Sequence, residues 1–87
     1  MAITTGQVTV TEGAAIQLDT SSVSNFKMML HNMSNTDNLF VGNQDVTPTT
    51  GFEVHSHAYL ILDCQPNDAV YVCSDGGTHT LSWMKIQ

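Results

Sequence analysis

The sequence predicts an all-β fold, a single-domain β-sandwich or jelly-roll-like barrel of seven to eight short antiparallel strands spanning residues 1–87. Turn-forming residues recur about every ten positions, the spacing of strands joined by short loops. Between them, apolar residues alternate or form short runs rich in Val, Ile, Leu, Phe and Tyr. A chain of 87 residues also has room for only one domain, with a core thin enough that oligomerisation is the expected source of added stability.

Each strand has its own justification. Gln7-Val8-Thr9-Val10 places both valines on one face and is closed by Thr11-Glu12-Gly13; the preceding Met1 to Gly6 is expected as an N-terminal arm or an edge strand. Ala15-Ile16-Gln17-Leu18 turns Ile16 and Leu18 inward before the loop Asp19-Thr20-Ser21-Ser22. Over Asn25 to Asn32, Phe26, Met28 and Leu30 share one side and Lys27, Met29 and His31 the other, between Ser- and Asn-rich segments that disfavour a helix. Asn38 to Gly42 runs into a turn at Asn43-Gln44-Asp45, and Pro48 marks Val46 to Gly51 as a connection. Phe52-Glu53-Val54 leads through His55-Ser56-His57 into Ala58-Tyr59-Leu60-Ile61-Leu62. Pro66-Asn67-Asp68 is a turn, Ala69 to Cys73 a buried strand, and Asp75-Gly76-Gly77 a hairpin turn into Thr78 to Ile86.

Composition excludes several function classes. Charged residues make up 11% of the chain, eight acids stand against two lysines and no arginine, and the formal net charge is -6. Nucleic-acid binding needs several cations to neutralise phosphates, and docking on an anionic membrane needs the same, so neither partner is expected. The start has no basic segment followed by an apolar core, so the expected product is cytoplasmic, and the sequon Asn32-Met33-Ser34 is expected to be coincidental.

Side chains able to do chemistry are few. In a strand, His55 and His57 would point the same way and form the one pair at metal-like spacing, with His31, His79, Glu53 and Asp63 as unplaced third ligands; the expected reading is two solvated or interfacial histidines with no metal. Asp63, Asp68 and Asp75 lie near neighbouring turns but lack the alternating pattern of a calcium loop. Cys64 and Cys73 flank one turn and could face each other across a hairpin, although a cytoplasmic origin favours two packed thiols. No nucleophile-elbow or phosphate-loop motif is present, so neither catalysis nor a cofactor is expected.

Large apolar residues on both faces of two strands are the more telling feature. Met28 and Met29 point to opposite sides, as do Trp83 and Met84, and a two-sheet domain has no third layer to cover the second side. Met29, His31, Met84 and Ile86 are therefore candidates for an oligomer interface, with Lys27, His31 and Lys85 diluting that face.

The order of these features resembles a family of small tailed-bacteriophage virion proteins, the capsid decoration (cement) and head-fibre proteins. The matching parts are the polar first strand with Val8-Thr9-Val10, the Asn-rich approach Asn35-Thr36-Asp37-Asn38 into Leu39-Phe40-Val41-Gly42, then Val46-Thr47, Thr50-Gly51-Phe52 and Asp68-Ala69-Val70-Tyr71-Val72 before a glycine turn. The resemblance implies a homotrimer, made in the host cytoplasm, that sits on the outer capsid surface of the virion and clamps subunits of the major capsid protein. The alternative is a carbohydrate- or receptor-binding module of a phage fibre or of a tail or baseplate complex. Trp83, Tyr59 and Tyr71 are its sugar-site candidates, since such sites combine an aromatic face with polar groups.

Overall fold

Alternation decides which way each strand faces, and the two resulting apolar faces close on each other. The computed structural model describes residues 3–18, 20, 24–66 and 68–87. Its strands are β1 (Ile3–Thr11), β2 (Ile16–Gln17), β3 (Phe26–Asn32), β4 (Leu39–Gly42), β5 (Phe52–Val54), β6 (Tyr59–Cys64), β7 (Tyr71–Ser74) and β8 (Thr78–Ile86). They form two four-stranded antiparallel sheets in the orders β1-β8-β3-β6 and β2-β7-β4-β5. The chain crosses between sheets at every connection except β4 to β5, which pair directly. The ladders β1–β8, β2–β7, β3–β6 and β4–β5 are thus nested around the β4–β5 connection. This is the winding of an eight-stranded jelly roll, and the expected fold class is the observed one.

The core lies between the sheets. Val10, Met28, Leu30 and Leu81 from the first sheet meet Leu39, Val41, Val54 and Val72 from the second, all of them buried. Gly6 is required where β1 passes Trp83 of β8: a Cβ there would lie 2.6 Å from the indole Cζ2. Asn32 is fully buried at the end of β3, and every polar atom of its side chain is used. Its Nδ2 donates to the carbonyls of Val54 and Asp37 at 2.9 and 3.0 Å, and its Oδ1 accepts from Ser34 N at 2.9 Å. That burial takes the sequon out of contact with any modifying enzyme in the folded protein. At the other end, Leu18 N donates to Val70 O at 2.9 Å and the Thr20 hydroxyl donates to Asp68 O.

Several local expectations change. Of the two forms expected for the N-terminal residues, residues 3–6 take the edge strand rather than the arm: they belong to β1, each paired with β8. Cys64 and Cys73 do not face each other across a hairpin, because β6 and β7 belong to different sheets; both are free thiols. The turn through Gly76 and Gly77 joins strands of opposite sheets, with Gly77 at φ 66°. Lys85 follows Leu81 and Trp83 inward and is 6% exposed, so it does not dilute the outer face. Met1, Ala2, Asp19, Ser21, Ser22 and Asn67, which belong to the expected arm, loop and turn, lie outside the described residues.

Candidate functional site

The two outer faces of the sandwich are finished differently. Outside the β2-β7-β4-β5 sheet, Phe40 and Cys73 point away from the core and are roofed by the β4–β5 connection, whose Val46 completes a second buried cluster with Ala15 and Tyr71 against it. The connection is held as a compact cover. Val46 N donates to Asn43 O at 3.0 Å, and the amides of Thr50 and Gly51 both donate to Thr47 O, at 3.1 and 2.9 Å. Gly42 and Gly51 let it press down, since a Cβ at Gly51 would be 2.7 Å from both Phe40 Cβ and Val46 Cγ2.

Among the described residues, none forms such a cover over the outer face of the β1-β8-β3-β6 sheet. Its outward residues stand in register across all four strands: Ile3, Ile86, Lys27 and Asp63 in one row, Thr5, Met84, Met29 and Ile61 in the next, then Gln7, Ser82, His31 and Tyr59. Met33 continues the outward series of β3, its amide donating to Thr80 O at 3.1 Å. Among the described residues, the exposed large hydrophobics are Ile3, Met33, Phe52, Tyr59 and Ile61, and all but Phe52 lie on this face. A shallow depression of about 300 Å³ at its centre is lined by Gln7, Met29, His31, Ser82 and Met84 among others. The four interface candidates Met29, His31, Met84 and Ile86 are therefore brought together on one surface. Lys27 and Asp63, opposite each other in the register, form an ion pair at 3.1 Å and leave the face without net charge from that pair.

The three aromatic candidates are not brought together. Tyr59 stands on the open face, Trp83 packs inward against the main core, and Tyr71 lies against the cluster outside the other sheet.

The histidines occupy a turn rather than a strand. Ala58 N donates to His55 O at 3.0 Å, and His57 sits at φ 63° with its amide donating to Asn32 O at 2.9 Å, so the two-residue spacing does not align their rings. His55 Nε2 instead meets Glu53 Oε1 at 3.0 Å in an exposed pair. His79 is the better-anchored histidine: its Nε2 lies 2.7 Å from Asp37 Oδ2 and 2.7 Å from Gly76 O. Both neighbours are acceptors, so Nε2 carries the hydrogen, and the contact knits the β3–β4 loop to the β7–β8 turn. Among the described residues no three His, Cys, Asp or Glu side chains are grouped to hold a metal ion. Asp63 and Asp68 lie at one end of the roll, Asp75 at the other, with Asp68 Oδ2 already accepting from Gln65 N at 2.7 Å.

Both thiols are held above the ordinary value of 9.0, Cys64 by burial and then by Asp68 and Asp63, Cys73 by burial and then by Asp75. At neutral pH they are packed apolar groups rather than nucleophiles. Comparison of the chain with protein-family models, with curated proteins and with solved structures finds no match.

Proposed function

We propose that this protein is a bacteriophage virion structural protein, a decoration or cement protein that binds the outer capsid surface as a homotrimer and stabilises the lattice of the major capsid protein. One observation carries the reading: among the described residues, the roll covers one outer face with its own loop and leaves the other open, with Ile3, Met33, Tyr59 and Ile61 exposed on it. Open apolar patches of this kind mark interaction surfaces. The jelly roll is itself a fold used by viral capsid proteins, an argument by analogy that lectins and cupins share. The sugar-binding alternative has less support, because Tyr59 stands on the open face, Trp83 packs against the core and Tyr71 lies against the cluster outside the other sheet.

The mechanism is linkage. A protein that binds the assembled lattice and not its separated subunits stabilises the lattice, and several contacts per trimer raise the effective affinity. The test mixes purified protein with expanded heads of the phage that encodes it, prepared without the protein. Saturable binding with a rise in the melting temperature of the heads is expected. Heads that neither bind it nor change in stability overturn the reading.

A further inference from the structure

We propose that the outer face of the β1-β8-β3-β6 sheet carries a binding site for a soft monovalent metal ion, copper in its Cu(I) state, held by the thioethers of Met29 and Met84 and the imidazole of His31. The site goes beyond the capsid reading above and does not rest on it.

Strand spacing assembles the donors. Met29 and His31 are two residues apart on β3 and point to the same face, about 7 Å from each other along the strand. Met84 of β8 stands directly opposite Met29 in the ladder, a relationship that puts the two Cβ atoms about 4.5–5.5 Å apart. All three line the shallow depression of about 300 Å³ at the centre of the face. A methionine side chain is unbranched and turns about three bonds, so both sulfur atoms can swing toward an ion in the depression while the sheet stays as it is.

The ring of His31 is available to join them. His55 and His79 each give Nε2 to a carboxylate, whereas among the described residues no partner holds the His31 ring. Met33 continues the outward alternation of β3, but its sulfur already accepts from Gln7 Nε2 at 3.7 Å, which leaves it out of the donor set.

Donor chemistry selects the ion. Thioethers are neutral, polarizable ligands that favour Cu(I), and imidazole suits copper as well. Calcium, magnesium and manganese require oxygen ligands, and the two register rows that carry the donors contain no carboxylate. Structural zinc takes four ligands drawn from thiolate, imidazole and carboxylate, and only His31 is one of these. A single positive charge is also the least costly to place among neutral donors, and the net charge of -6 draws cations to the molecule.

The test titrates the purified protein with Cu(I) under anaerobic, reducing conditions against a competing copper chelator, with isotope-labelled methionine methyl groups followed by NMR. The expected result is saturation at one ion per chain, with the methyl signals of Met29 and Met84 moving and that of Met33 unmoved. Met29→Leu and Met84→Leu conserve volume, and with His31→Phe each should weaken binding by at least the roughly 10- to 100-fold that removing a group behind a metal ligand costs. Met33→Leu should leave the affinity unchanged. Thiols are also soft ligands, so the titration is repeated on the double variant Cys64→Ala, Cys73→Ala, which should still take up the ion. If that variant does not fold, the methyl shifts of the unaltered protein decide. No uptake, uptake lost from the folded thiol-free variant, or uptake that the three face variants leave intact overturns the inference. Binding to phage heads is a separate measurement, so either reading can fail while the other stands.

Discussion

The amide nitrogen of the Asn32 side chain donates a 2.9 Å hydrogen bond to the carbonyl of Val54, tying the end of β3 in one sheet to β5 in the other. Replacing it by Ala strands two carbonyls and the Ser34 amide in a buried place. Each such group costs about 1–3 kcal/mol, so Asn32→Ala is expected to lose roughly 3 kcal/mol and to melt at least about 12 °C lower. Asn32→Asp is expected to be worse at neutral pH, since its carboxylate would face two carbonyl oxygens. Calorimetry on both variants checks the order.

Gly51→Ala is expected to lift the loop from the sheet beneath it, because the new methyl would overlap Phe40 and Val46. Cys73 lies under that loop. Titration with a thiol reagent at neutral pH should find both thiols slow in the unaltered protein and Cys73 fast in the variant. Equal rates would mean that the loop does not act as a cover.

Stability is expected to fall on the alkaline side. Both thiols hold their protons more tightly when folded than the ordinary value of 9.0. Between that value and the higher folded one, the unfolded chain carries fewer protons than the folded chain, so the free energy of unfolding decreases as pH rises. The thiol contribution is fully present below about pH 9 and is lost above it. Urea midpoints measured from pH 7 to pH 11 should drop in the unaltered protein, and less so in the double variant Cys64→Ala, Cys73→Ala.

The Lys27–Asp63 pair contributes little to the fold. Its side chains are 63 and 81% exposed, and exposed pairs are typically worth 0–1 kcal/mol. Asp63→Asn should therefore shift the unfolding midpoint by less than about 0.5 kcal/mol. Its larger effect is expected on Cys64, whose thiol loses one of the charges raising it.

Much of the roll is legible in the sequence because strand periodicity is local. The alternation Phe26, Met28, Leu30 against Lys27, Met29, His31 gives the inward and outward sides of β3 directly, and with them the shared surface of Met29 and Met84. Pairing partners are not local. Nothing near Cys64 and Cys73 shows that the Pro66 turn carries the chain across to the second sheet rather than back along the first. His55 and His57 fit strand spacing, yet the backbone turns there to satisfy the carbonyl of Asn32, which is distant in the chain. Lys85 is a failure of a different kind, since counting by twos from Leu81 and Trp83 places it inward. The cover over the second sheet did leave a signal: a lone Val46 in a polar connection with glycines at positions 42 and 51.

The nesting of the four ladders sets the order in which the molecule can assemble. β8 lies between β1 and β3, so two of the three ladders in its sheet require the last strand of the roll. Joining Ile3 to Ile86 closes almost the whole length of the chain, and the loop entropy of that step precedes any reward from the contacts it makes. Folding is accordingly expected on the millisecond-to-second scale of non-local β proteins. Until β8 joins, β4 can pair with β5 and β3 with β6, but nothing stands between β3 and β1.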